Sequence, residues 1–191
     1  MMMMDTYKGN ALTDRYINSN ARIKYAHRMG LISNKIYQMG ITLTLIHIIQ
    51  CLNDLQKVTK GTTLEWVRYS ESMRYRGERI ESYVYDVPSA IDDHRYLTNK
   101  SYRALIYSGD HDIIVPHLST EEWIDTLKLP IVEDWEPCFV DGQVAGYKLK
   151  YLQNDCELTY ATVRGVGHNT PEFKPEKCLP MLDRWCSGYP L

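Results

Sequence analysis

The sequence predicts an α/β fold, a mixed sheet with helices packed against it. Three observations carry that reading. Apolar, aromatic-rich runs at residues 102–107 and 158–163 each lead into a glycine-containing loop, as buried strands do. Between them, Asp141-Gly142 is a hairpin signal within residues 139–153, where Val144, Tyr147, Leu149 and Tyr151 flank the turn. Helix signals stand before, between and after these runs, and strands interleaved with helices favour a sheet with a mixed or antiparallel edge.

From Ser33, read as an N-cap, to about Leu55, the residues Ile36, Met39, Leu43, Ile46, Ile49 and Leu52 recur at steps of three and four, one face of a helix. The β-branched Ile41, Thr42 and Thr44 weaken that helix. Residues 64–67 suit a short strand or a helical turn, and residues 89–97 a short helix. The strand at 102–107 closes in the sharp loop Ser108-Gly109-Asp110. Ser119-Thr120-Glu121-Glu122 has the form of a capping box, which opens a helix reaching about Leu127. After the hairpin and the strand at 158–163, Pro175 suits the first turn of a last helix with Leu179, Leu182 and Trp185 inward. Pro180 removes one of its backbone hydrogen bonds, so the sequence predicts that this helix is kinked or starts late.

A chain of 191 residues is read as one domain. With a net charge of -2, nothing electrostatic points to nucleic acid or to an anionic membrane. The most apolar run, residues 41–49, is far shorter than the roughly 20 residues of a membrane span. Met1-Met2-Met3-Met4-Asp5 has neither the basic nor the apolar region of a secretory leader. Cys51, Cys138, Cys156, Cys178 and Cys186 form an odd set without metal-ligand spacing, so no metal or cofactor is expected. Asn99-Lys100-Ser101 is a sequon, relevant only on a secretory route.

Two loops carry chemistry. Ser108-Gly109-Asp110-His111-Asp112 and Gly165-Val166-Gly167-His168-Asn169 both follow strands. In open α/β sheets the reacting groups gather outside the carboxyl ends of the strands. A carboxylate on one loop and an imidazole on the next is the orienting half of a nucleophilic triad, in which the acid fixes the tautomer of the base and stabilises its charged form. Spacing alone does not distinguish this from an ordinary turn beside a structural histidine.

The literal strings go further. Residues 102–116, YRALIYSGDHDIIVP, resemble the aspartate segment of plant serine carboxypeptidases and their acyltransferase relatives, and residues 163–175, VRGVGHNTPEFKP, their histidine segment. Residues 139–147, FVDGQVAGY, are similar to the hairpin between them, and Arg184-Trp185 with Pro190-Leu191 to the family's C-terminus. Gly9-Asn10-Ala11-Leu12-Thr13-Asp14 and residues 27–33 resemble the segment that follows the family's serine. The resemblance covers most of residues 8–38 and 61–191. It implies an α/β-hydrolase fold, with Asp112 as triad acid, His168 as triad base and Asp110 as a supporting or loop-structuring residue. It also implies acyl transfer through an acyl-serine: release of a residue from a peptide C-terminus, or transfer from a glucose ester. His111 beside the acid leans toward the acyltransferase branch on resemblance alone. A secreted or vacuolar location is the family's.

The sequence also departs from that pattern. It holds no G-x-S-x-G, so the nucleophile elbow is missing, together with the family's oxyanion-hole segment. Between about Gln38 and Lys60 the likeness dissolves where a cysteine-rich helical insertion is expected. The reading is therefore a single incomplete domain over residues 1–191, with 8–60 the remnant after the nucleophile segment and 61–191 the Asp/His portion. Such a chain is expected to be inactive alone, as an incomplete form of the enzyme or as a non-catalytic remnant.

Overall fold

The computed structural model describes residues 4–42, 74–75, 78–79 and 87–191. Contacts divide the chain into two compact units, Met1–Ile32 with Pro88–Leu191, and Ser33–Val87. In the first unit the order is β1 (Met4–Gly9), α1 (Arg15–Arg28), then, past the second unit, α3 (Ile91–Leu97), β4 (Tyr102–Gly109), α4 (His117–Thr126), β5 (Ile131–Val140), β6 (Gln143–Gln153), β7 (Cys156–Val163), α5 (Thr170–Phe173) and α6 (Pro175–Cys186). The second unit contributes α2 (Asn34–Thr42) and a two-residue antiparallel pair, β2 (Arg74–Tyr75) with β3 (Glu78–Arg79).

The five-stranded sheet runs β1-β4-β7-β6-β5. β1 and β7 flank β4 in parallel, whereas β6 is antiparallel to β7 and β5 to β6, so the sheet is mixed as the sequence predicts. β4 shows why its sequence is a continuous apolar run. Ile106 packs with Trp123, Ile124 and Leu127 from the α4 side, and its neighbour Leu105 packs with Ala161 and Trp185 from the α6 side. Full burial of one such aliphatic side chain stabilises the fold by roughly 1.5–3 kcal/mol. α1 lies against α4 through Ala21, Tyr25 and Leu118. The result is one sheet between helices on both faces.

Several elements differ from the sequence reading. β1 was not anticipated, because Met4-Asp5-Thr6-Tyr7-Lys8-Gly9 lacks apolar alternation; its pairing with β4, Met4 to Tyr102 through Gly9 to Tyr107, supplies what local propensity does not. α1 was also missed, although Asp14 caps it by accepting the Ile17 N–H at 2.7 Å. α4 begins two residues before the proposed capping box. Ser119 Oγ instead donates back to the Pro116 carbonyl at 2.8 Å and to Asn18 Oδ1 at 3.1 Å, and Glu122 pairs with Lys24 of α1. α6 does not start late: it opens at Pro175 and runs through Pro180. The N–H that Pro180 lacks would have reached Glu176, an exposed first-turn residue whose carbonyl can turn to water. Cys178 and Trp185 are buried and Met181 and Leu182 pack beside the core, whereas Leu179 is exposed.

The predicted helix from Ser33 is seen as α2, with the Ser33 carbonyl accepting the Tyr37 N–H. Residues 43–55, the segment 64–67 and Cys51 lie outside the described residues. The hairpin is longer than expected, β5 reaching back to Ile131 with register shifts along its length. Lys148 is buried, although the alternation of Tyr147, Leu149 and Tyr151 puts it on the polar face of the strand. Its ammonium is paired to Glu133 at 2.8 Å and Glu136 at 2.9 Å, which makes that burial tolerable.

The hairpin turn is the cleanest local test of sequence against backbone. Asp141 and Gly142 have φ of 51° and 72°, the two positive values of a type I′ turn. A Cβ at Gly142 would meet nothing within 4 Å, so Gly142→Ala isolates the left-handed backbone cost. We expect about 1–2 kcal/mol of destabilisation, read as a lower urea midpoint, and a smaller loss for Gly142→Asn. An alanine variant as stable as the parent would rule out the positive-φ turn.

Candidate active site

β4 and β7 are adjacent and parallel, with Gly109 opposite Val163, so the loops that follow them leave the same end of the sheet side by side. Two backbone bonds join them, Asp110 N–H to the Val163 carbonyl at 3.1 Å and His111 N–H to the Val166 carbonyl at 3.0 Å. Gly109 is required here because a Cβ would collide with the Val166 and Gly167 carbonyl oxygens. Asp110 Oδ1 accepts the Gly165 N–H at 2.7 Å and the Val166 N–H at 3.3 Å. Asp110 is thus a stitch between loops. His111 is more than half exposed, with Nε2 3.9 Å from Asp110 Oδ1.

Asp112 is 1% exposed, and both its oxygens are surrounded by donors. Oδ1 accepts the Ile114 N–H at 2.7 Å and the Val115 N–H at 3.1 Å. Oδ2 accepts the Asn10 carboxamide at 2.9 Å and the His168 Nδ1–H at 2.8 Å. The sequence pair Asp112 and His168, 56 residues apart, therefore meets within hydrogen-bonding reach. With Nδ1 engaged by the carboxylate, the neutral ring carries its lone pair on Nε2, and the His168 side chain is 44% exposed. The hydrogen bond to Asp112 and the charge of that carboxylate raise the His168 pKa above the ordinary 6.5, against burial and the nearby Arg22 guanidinium. A half-exposed base oriented by a buried acid can take a proton at Nε2 and return it.

Three residues around the pair were not singled out by sequence reasoning. Asn10 follows the last residue of β1 and is buried with φ of 42°. Tyr25 of α1 donates its hydroxyl to the Asp110 carbonyl at 3.1 Å, and Arg22 Nε donates to the Ile114 carbonyl at 2.7 Å. The one available signal was Gly9-Asn10 after a strand, a pair that tolerates a left-handed turn. Among the described residues no three His, Cys, Asp or Glu side chains gather as a metal-ligand set, and Cys138, Cys156, Cys178 and Cys186 are free thiols.

The sign of the His168 shift fixes a pH dependence. A base whose folded pKa is raised contributes stability that is fully present below the unfolded value of 6.5 and lost as pH climbs through the folded value. The gap in Tm between the parent chain and its His168→Gln variant should be widest below pH 6.5 and narrow at higher pH. A gap that is flat or widens upward would mean that Asp112 does not hold the imidazolium.

Comparisons with known proteins identify a family. The family model described as serine carboxypeptidase matches residues 57–188. Serine carboxypeptidase-like 2 of Arabidopsis thaliana is 34% identical over 229 residues, spanning 96% of this chain and 51% of its own length. Serine carboxypeptidase-like 17 of the same plant is 30% identical over 236 residues, with the same coverage of 96% and 51%. The chain thus spans about half the length of these curated relatives. Its mixed sheet with flanking helices is consistent with a partial α/β-hydrolase fold, and it belongs to the serine carboxypeptidase family, matching the C-terminal portion of that family.

Proposed function

We propose that Asp112 and His168 are the acid–base half of a serine-type acyl-transfer centre. The observation that carries this reading is the 2.8 Å bond between His168 Nδ1 and the buried Asp112 Oδ2, which turns Nε2 of a half-exposed ring away from the carboxylate. In the reaction, Nε2 takes the proton of a serine hydroxyl as that oxygen attacks the substrate carbonyl. Asp112 stabilises the imidazolium without taking the proton, and the ring then protonates the leaving group. With a peptide the leaving group is the C-terminal residue, and water then frees the shortened chain from the serine; with a glucose ester the sugar leaves, and an alcohol then receives the acyl group. The nucleophile comes from residues outside this sequence, which has no G-x-S-x-G.

Alone, the chain should therefore show neither a burst with an activated ester nor labelling by a serine-directed phosphonate. Stoichiometric labelling would refute the placement of the nucleophile. Co-expressed with the remaining half of Arabidopsis serine carboxypeptidase-like 2, it should restore ester hydrolysis. His168→Gln should then lower that rate by at least roughly 10³-fold. A folded, associated pair without activity would favour the non-catalytic remnant instead.

A further inference from the structure

Asn10 uses all its hydrogen-bonding capacity on the two loops. Its Nδ2 donates to Asp112 Oδ2 at 2.9 Å and to the His168 carbonyl at 2.7 Å, with the Gly167 carbonyl at 3.2 Å beside them. Its Oδ1 accepts the Gly109 N–H at 3.0 Å and the Thr170 hydroxyl at 3.4 Å. Its own N–H donates to the Tyr107 carbonyl at 2.8 Å, which fixes the residue to β4. The Gly109 donor on one side and the carbonyl acceptors on the other allow only one orientation of the amide.

We propose that Asn10 is a positioning residue of this site, one buried carboxamide that locks the acid Asp112 and the base His168 in a single relative geometry. It grips the Asp112 oxygen that holds the His168 ring and, with the same NH₂ group, the peptide carbonyl of His168 itself. Oxygen and backbone therefore cannot separate without breaking a buried bond and leaving a buried partner unpaired. No other common side chain does this. Aspartate lacks the donors when ionised, and glutamine carries its amide one methylene further from the backbone that the Tyr107 carbonyl holds. The backbone also selects asparagine, since a φ of 42° is open to Gly, Asn and Asp and strained for most others. The inference rests on the acid–base reading above, but its readout needs no activity.

Labelled imidazole nitrogens in the 191-residue chain give the test. In the parent, His168 should titrate above 6.5 with its Nδ1–H protected from exchange. Asn10→Gly keeps the left-handed backbone and removes only the carboxamide. The His168 midpoint should fall toward 6.5 and the Nδ1–H signal should be lost to exchange, while the rest of the amide spectrum stays dispersed. An unchanged or raised midpoint with the signal retained would overturn the role of Asn10 alone. An unraised midpoint in the parent would instead remove the acid–base reading and this inference with it. Asn10→Asp guards against a glycine variant that fails to fold. While its new carboxyl is protonated it still donates to Asp112 Oδ2; once ionised, two carboxylates face each other. Such a group has a raised folded pKa, so the Tm deficit against the parent should be small near pH 4 and grow toward pH 7. A deficit independent of pH would show that residue 10 does not face Asp112.

Discussion

The parallel pairing of β4 with β7 is the constraint on which the site depends. It brings Gly109 opposite Val163, so both loops must emerge at one end of the sheet and in contact. The missing Cβ of Gly109 then lets the first loop press against the carbonyls of Val166 and Gly167. Packing on both faces holds the strands that set this register. Leu105 and Ile106 point to opposite layers, and each is buried in its own cluster. A slip by one residue would turn both to the wrong face and would carry Asp112 away from His168. The geometry of two side chains is thus inherited from the register of a whole sheet.

Environment divides the labour among three ionisable residues that sit close together. Asp112 is enclosed and meets only donors, so its role is to accept. His168 keeps one nitrogen on that carboxylate and a ring open enough to reach a reactant. Asp110, two residues before the acid, spends Oδ1 on the amides of Gly165 and Val166 and so belongs to loop closure. Two aspartates of one short motif therefore have different functions because their oxygens meet different partners. No difference in their intrinsic chemistry is needed.

Much of this was legible in the sequence. Residues 102–107 and 158–163 read as strands because they bury both faces, and Asp141-Gly142 read as a turn because its backbone requires two positive φ values. The unread parts have physical causes. β1 is held in the sheet by pairing with β4, and its own six residues carry no strand pattern. The Ser119 hydroxyl has a tertiary partner in Asn18, so a string that reads as a cap became an interior residue of α4. Lys148 is buried because Glu133 and Glu136 come from a partner strand, and no local pattern records a cross-strand ion pair. The acid and base were named from the likeness of their loops to a known family. Asn10 was not, since its importance lies in bonds spanning 102 and 158 residues.

Among the described residues, every side chain and amide that donates to the Asp112 carboxylate belongs to one compact unit of the chain. Asn10 comes from the end of β1, the Ile114 and Val115 amides from the loop after β4, and His168 from the loop after β7. Among the described residues, the bonds that orient Asp112 and His168 thus lie within that unit. On the proposed acid–base reading, the exposed side of the His168 ring is the direction from which a hydroxyl approaches Nε2. Because the sheet fixes Nδ1 on the buried side, a nucleophile has one productive approach, toward the half of the imidazole that faces away from Asp112. If His168 is the base proposed above, this preorganisation lowers the entropic cost of the proton transfer, since only the nucleophile is left to position.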